Sequence, residues 1–305
     1  MKWRTITLIL CVYGALKEFR PTEPYLYQWQ HEGMGLTAGQ LSIEVYPWST
    51  YGTLVFLLPT LLLTDVLLYK PVLLLESASF VGVWLTLIFG RSVVSQQVGQ
   101  VLYGLASSLE VAYFAYIYVK VEPAHFKQVT VWTRSALEFG RCVSYVLSEP
   151  LVLLLPGRFQ LLNWISLGSL LSTFLFALLL PNVTWREIVS GILAVLPLQH
   201  ARFRWLLHDL PIAALAAVCA AFLLLICRFG SIWVMYAGYA IYRVSYQLAI
   251  TITQCMIIER IDVEAGGFVF GLCTFAPLLL QTGVSLLVTK VAYLNEIHRQ
   301  AGVSI

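Results

Sequence analysis

The sequence predicts an all-α membrane protein that crosses the bilayer about nine times. Of its 305 residues, 59% are hydrophobic and only 11% are charged, whereas a soluble domain has about 45–50% apolar and about 25% charged residues. Uncharged runs such as residues 211–227 approach the roughly 20 residues that a helix needs to cross the hydrocarbon core. These runs are continuous and not alternating, which favours helices over the strands of a membrane barrel.

The hydrophobic segments have the lengths of membrane-spanning helices. They lie at residues 5–26, 48–68, 71–90, 95–119, 131–154, 160–181, 211–228, 232–257 and 267–289. The first is the weakest, because it reaches membrane length only if the charged residues between Lys17 and Glu23 are partly embedded. Lysine and arginine residues of the loops favour a cytoplasmic N-terminus. Nine crossings then place the C-terminal tail outside.

The remaining composition argues against several classes of protein. The six cysteines lie in or beside apolar runs without CxxC spacing, which indicates packing residues and not a metal or disulfide set. The five histidines lie in loops without the spacing of a catalytic or zinc motif, so we expect no enzyme, no metal and no cofactor. The net charge of +3 is small, so the predicted partner is the lipid bilayer and not nucleic acid.

Glu110 is the clearest candidate for a functional charge, because it lies near the middle of the fourth span. A charge at the centre of a membrane helix costs about 2.5–3.5 kcal/mol and tends to face a cavity. Tyr113 lies three residues further on and shares its face of the helix. A carboxylate beside an aromatic ring is a good receptor for an organic cation. The alternative is a structural ion pair with a basic residue of another helix.

Arg20 and Glu23 lie three residues apart in a segment with two prolines, Pro21 and Pro24. The prolines are expected to unwind the top of the first span, which is tolerated where the backbone lines a cavity or contacts protein. Glu23 is therefore a candidate for the outer mouth of a solute path. Neutralisation of Glu23 by Arg20 is the alternative.

Other charges in the spans require partners as well. Glu138 and Arg141 have the spacing of a local pair within the fifth span. Glu76 and Arg243 have no opposite charge near them in sequence, so each needs a partner from another helix. A turn between the second and third spans is flanked by Asp65 and Lys70. This turn fits a gating hinge or a solvated inner loop.

Five segments together resemble the vitamin carriers of the reduced-folate and thiamine transporter family. They are KEFRPTEPY (17–25), LTDVLLYKPV (63–72), EVAYFAYIY (110–118), LNWISL (162–167) and IWVMYAGY (232–239), with further matches at 245–246 and 269–271. They occur in the order of the family and cover nearly the whole chain. The resemblance implies the major facilitator fold, in which two bundles of six helices enclose a central solute site.

The chain departs from that plan in its second half. Residues 1–181 are expected to form the N-terminal six-helix bundle, and residues 182–210 a cytoplasmic loop, either a plain linker or an amphipathic helix on the membrane surface. Residues 211–305 are expected to form a partial C-terminal bundle of three helices and a tail. Helices seven, eight and twelve of the family have no counterpart. Because alternating access requires both halves, a shortened product that does not transport is one hypothesis.

The resemblance also suggests the substrate. Thiamine carriers resemble this chain in having glutamate and tyrosine at Glu110 and Tyr113, and in having glutamine at Gln281, where folate carriers have lysine. This agrees with the cationic charge of thiamine and the anionic charge of folate. On the other side, Arg243 resembles the folate carriers, and Ser49 stands where thiamine carriers tend to have tryptophan. We expect thiamine uptake, with reduced folate as the alternative substrate.

A site near the middle of the membrane follows from this hypothesis. Glu110 is expected to pair with thiamine, Tyr113 and Tyr46 to stack on it, and Glu23 to guard the outer mouth. Arg243 and Gln281 are further candidates for substrate contacts. The resemblance places the protein in the plasma membrane.

Overall fold

The computed structural model describes residues 3–154 and 157–184, together with Ala221, Gly238 and residues 241–242 and 244–252. Every regular element in these ranges is helical. The long helices are α1 (Trp3–Glu18), α2 (Pro47–Val66), α3 (Lys70–Phe89), α4 (Val93–Lys120), α5 (Phe126–Leu154) and α6 (Phe159–Leu179). They match the first six predicted spans in order and position. The predicted loop at 182–210 and most of 211–305 lie outside the described residues.

The first helix is shorter than predicted, because α1 ends at Glu18 and not near residue 26. Short helical turns follow at Glu23–Tyr25, Leu26–Gln28, Trp29–Gly33 and Gln40–Val45. Pro21 and Pro24 remove two backbone donors within four residues, which disfavours a continuous helix here. Part of the freed backbone is satisfied by α6, since the Thr22 amide donates to Ser166 Oγ at 3.3 Å. The unwinding expected from the prolines is therefore present, but the helix already ends at Glu18, three residues before the first proline.

The other helix ends follow from local sequence. Helix α4 begins after a reciprocal cap, in which the side chains of Ser92 and Ser95 each accept from the other's backbone N–H at 3.2 Å. Helix α3 begins after a tight turn in which Leu68 and Tyr69 have φ angles of 58° and 63°. Two such residues in succession are rare outside glycine, and Tyr69 is buried in the hydrophobic core at this turn.

Helix α1 contacts several other helices in the described part of the chain. It packs against α5 and α6 and reaches α4, while α4 also packs against α2 and α3. The contact between α1 and α5 is close at Gly140, where an added Cβ would lie 2.2 Å from the carbonyl oxygen of Ala15. Glycine permits this approach because it has no side chain. The close packing brings the polar end of α1 against three other helices.

The outer surface is apolar and the interior contains polar groups, the reverse of a soluble protein. Large apolar side chains such as Phe89, Phe139 and Leu154 are exposed, whereas Lys17, Glu18, Arg20 and Glu76 are buried. By length and composition, Lys70–Phe89 and Phe159–Leu179 are the helices within the described residues that could cross a membrane unaided. Helix α5 carries several charges, and we infer that its polar face needs the other helices around it.

Candidate functional site

Lys17 joins two carboxylates at the centre of the helices. Its ammonium lies 2.9 Å from Glu76 Oε1 on α3 and 3.1 Å from Glu110 Oε1 on α4. The ring centroid of Tyr113 is 5.1 Å away, within cation–π range. Glu76 also accepts a bond of 2.8 Å from the hydroxyl of Tyr13. The predicted need of Glu76 for a partner on another helix is confirmed, and the ion-pair alternative for Glu110 is present.

A second cluster surrounds Glu18, the last residue of α1. Its Oε2 accepts from Arg20 Nη2 at 2.8 Å and from Arg141 Nη2 at 2.7 Å. Arg20 also pairs with Glu23 at 3.0 Å, and Arg141 pairs with Glu138 at 2.9 Å. Both local pairs expected from the sequence are therefore present. Glu18 links them into one network across the helices.

Aromatic rings hold the guanidinium group of Arg20. It lies 5.1 Å from the ring centroid of Phe80 and 5.7 Å from that of Trp84. Arg20 Nε and Nη1 are buried and have no hydrogen-bond partner within the part of the chain that the structure describes. Contact with the ring faces therefore partly replaces hydrogen bonding for this cation.

The network carries an excess of negative charge. Among the described residues it contains five carboxylates, at Glu18, Glu23, Glu76, Glu110 and Glu138, and three cations, at Lys17, Arg20 and Arg141. A further cation, Arg134, lies 4.1 Å from the ring centroid of Phe114 on α4. The net charge of the network is still negative when Arg134 is counted with it.

The accessible members of this network are mainly carboxylates. Side chains of Glu110 and Glu138 are 40% and 39% exposed, and that of Glu23 is 20% exposed. Of the cations, Lys17 and Arg20 are 1% and 4% exposed, and Arg141 is 19% exposed. The two most exposed side chains of the network are thus both carboxylates, which favours a cationic ligand over an anionic one.

A cavity of about 380 Å³ lies beside this network. Its lining includes Glu23, Tyr46, Ser49, Trp84, Tyr103 and Tyr145. Its volume falls in the usual range of small-molecule sites. Tyr103 precedes Glu110 by seven residues on α4, so both lie on one face of that helix, roughly 10 Å apart along its axis. Tyr103 therefore joins the cavity to the face of α4 that also carries Glu110.

Tyr46 and Tyr113, both expected to stack on a ligand, have different environments. Tyr46 lines the cavity and donates its hydroxyl to Gln30 Oε1 at 2.9 Å. Burial raises the pKa of Tyr46 to about 12, so the hydroxyl stays a donor at neutral pH. Tyr113 is fully buried, donates to the carbonyl of Leu10 at 2.9 Å and stacks on Tyr13. Tyr113 is thus a packing residue in this conformation, and its contact with substrate stays a prediction.

The expected gating residues lie at the turn between α2 and α3. The cavity is lined by the other end of α3. Lys70 Nζ donates to the carbonyl of Leu178 at 3.0 Å, which ties the turn between α2 and α3 to the end of α6. Asp65 lies in α2, but its side chain is outside the described residues. Arg243 and Gln281 also lie outside them. A role of the turn in gating stays a prediction.

Lys17 and Glu18 were not predicted as site residues, although the sequence contains a signal for them. Both lie in a predicted span, where charges face the protein interior. Gln247 was also missed as a partner of the network. It belongs to the helical residues 244–252 and donates to Glu138 Oε1, so the second half of the chain contacts this network.

Known proteins resemble this chain in sequence. The model of the family described as "Reduced folate carrier" matches residues 1–191 and 187–301. Folate-like transporter 2 of Caenorhabditis elegans is 47% identical over 186 residues, which cover 61% of this chain and 44% of that protein. The chain thus spans less than half of this relative. Thiamine transporter 2 of Homo sapiens is 28% identical over 421 residues, covering 96% of this chain and 85% of that protein.

A solved structure supports the fold. The human organic anion transporter MFSD10 (TETRAN) matches with a TM-score of 0.59 and 16% identity, covering 96% of this chain and 95% of that one. The all-α fold of this chain is therefore similar to that of MFSD10. The match of the family model to most of the sequence completes the assignment. The chain belongs to the reduced folate carrier family of membrane vitamin transporters.

Proposed function

We propose that this chain binds thiamine and carries it inward by alternating access. The observation that carries the proposal is that the two most exposed side chains of the network, Glu110 and Glu138, are both carboxylates, whereas the cations Lys17 and Arg20 are buried. Thiamine bears a fixed positive charge and two aromatic rings. A negative site with aromatic walls suits such a molecule through ion pairing and stacking.

The cavity and Glu110 form two stages of the proposed path. Thiamine first contacts Glu23 and the tyrosines of the cavity, and then moves along the face of α4 that carries Tyr103 and Glu110. The N-terminus lies in the cytoplasm and the protein resides in the plasma membrane. An inside-negative potential then favours uptake of a cation by roughly 2.3 kcal/mol per 100 mV.

Uptake of labelled thiamine by cells that express Glu110→Gln tests this role. The substitution keeps the shape of the side chain and removes its charge. We expect uptake to fall at least about tenfold, because a charge-assisted hydrogen bond contributes about 1.5–3 kcal/mol. The matched control is Glu32→Gln, which removes the charge of an exposed glutamate. Unchanged uptake by Glu110→Gln, at equal surface amounts, would contradict the assignment.

Reduced folate is the second candidate substrate. It is favoured by the name of the 47% identical relative, Folate-like transporter 2, and by the resemblance of Arg243 to the folate carriers. Under this hypothesis unlabelled folate competes with labelled folate for uptake, and unlabelled thiamine does not. The variant Arg243→Ala should then abolish uptake of labelled folate. Competition by thiamine alone would exclude it.

A product without transport activity is the third candidate. The match to thiamine transporter 2 extends over 421 positions, whereas this chain has 305 residues. More than a hundred positions therefore fall in gaps of this chain, as expected if helices seven and eight have no counterpart. A chain that reaches the cell surface but takes up neither vitamin would support this candidate. A transcript map that shows a longer form would support it independently.

A further inference from the structure

The ammonium group of Lys17 occupies the place that an organic cation would take at Glu110 and Tyr113. Lys17 Nζ lies 3.1 Å from Glu110 Oε1 and 5.1 Å from the ring centroid of Tyr113. A carboxylate and a ring face are the two groups that recognise organic cations. The receptor expected for a ligand therefore already holds a cation of the chain itself.

The two carboxylates that bind Lys17 differ in accessibility. Glu76 is fully buried, and its second oxygen accepts from Tyr13, so it is held in place on two sides. Glu110 is 40% exposed. Lys17 can therefore release Glu110 and still keep Glu76. Release does not leave an unpaired buried cation, which would be strongly unfavourable.

We propose that Lys17 is a built-in competitor of the cationic substrate at Glu110. In the empty carrier Lys17 neutralises Glu110, and an arriving organic cation displaces it onto Glu76. After the substrate leaves, Lys17 returns to Glu110. A cation that binds weakly does not displace Lys17, so the competition increases selectivity. This proposal rests on the proposed function, because it needs a cationic substrate.

The double variant Lys17→Met with Glu76→Gln tests the competition at constant charge. It removes one cation and one anion, so the three-residue cluster keeps its net charge of about −1 while Glu110 becomes free. Binding of thiamine and of tetraethylammonium is measured on the purified full-length chain in lipid nanodiscs. We expect both cations to bind about tenfold more tightly than to the wild type. Adding Glu110→Gln should remove this gain.

The single variant Glu76→Gln should give the opposite result. It leaves Glu110 as the one carboxylate of the cluster that pairs with Lys17, so the ammonium is held there more firmly. We expect cation binding to weaken by about tenfold. A purely structural ion pair would not produce shifts of opposite sign in these two variants. Glu32→Gln serves as the charge-removal control in both measurements.

The outcomes separate this proposal from the proposed function. If the folded double variant binds neither cation more tightly, Lys17 is only a structural partner and the proposal is overturned. If tetraethylammonium gains affinity while thiamine binds no variant, the proposal for Lys17 stands and thiamine fails as the substrate. If the double variant does not fold, Glu76→Gln decides: weaker binding of tetraethylammonium supports the proposal, and unchanged binding overturns it.

Discussion

Glu18 joins two cations that lie far apart in the sequence. Its carboxylate binds Arg20 and also Arg141, which is 123 residues away. A buried charge needs such partners, because water is absent and desolvation is strongly unfavourable. Each arginine keeps one further carboxylate, Glu23 or Glu138. At the scale of single residues, Glu18 is therefore the link between α5 and the unwound segment after α1.

Replacing Glu18 with glutamine should destabilise the protein while preserving side-chain volume. We expect a loss of about 3 kcal/mol in the free energy of unfolding, the low end for a broken buried pair, because Glu23 and Glu138 remain as partners. Thermal unfolding of the purified protein in detergent measures the change. Glu32→Gln is the matched control and should shift stability by no more than about 0.5 kcal/mol. Equal melting of the two variants would exclude a stabilising role for Glu18.

Helices α1 and α5 owe their close contact to a glycine. The backbone of Ala15 lies against Gly140 without space for a side chain. This approach places Glu18 within reach of Arg141 on the neighbouring helix. The alignment of the charges therefore depends on the contact between the two helices as elements. A glycine inside a predicted span does not by itself reveal which backbone it faces.

Gly140→Ala should weaken the contact between these helices. The new Cβ would lie 2.2 Å from a backbone oxygen that cannot move alone, and overpacking of this kind costs about 1–3 kcal/mol. Gly168→Ala is the control, because an added Cβ there meets no atom within 4 Å. Alanine also favours a helix over glycine by about 1 kcal/mol. We expect the first variant to melt lower than the wild type and the second to melt no lower; the reverse order would contradict the packing.

At the scale of the whole molecule, the excess of carboxylates leads us to predict that transport depends on the membrane potential. A carrier that moves one net positive charge inward per cycle should accumulate its substrate according to the membrane potential. Depolarising cells by about 60 mV should lower the accumulation ratio of labelled thiamine by about tenfold. Potassium with valinomycin sets the potential in this measurement. An accumulation ratio of thiamine that is unchanged or rises on depolarisation would contradict inward transport of net positive charge.

Much of the fold could be predicted from the sequence because hydropathy is a local property. The first six spans were placed in the right order, and Pro21 and Pro24 indicated the break after α1. Local spacing also predicted the pairs Arg20–Glu23 and Glu138–Arg141. The site was predicted less completely. Tyr113 has a packing environment, and Lys17 was not considered as the partner of Glu110.

By itself the sequence determined that this protein is a bundle of membrane helices with buried charges that require partners. Composition and segment length are enough to predict the membrane helices, because both are properties of a single segment of the chain. Tertiary structure alone decided which charges that lie far apart in the sequence meet. Lys17 lies 93 residues from Glu110, and Glu18 lies 123 residues from Arg141. Such pairs depend on how closely the helices pack, and no local pattern encodes that distance.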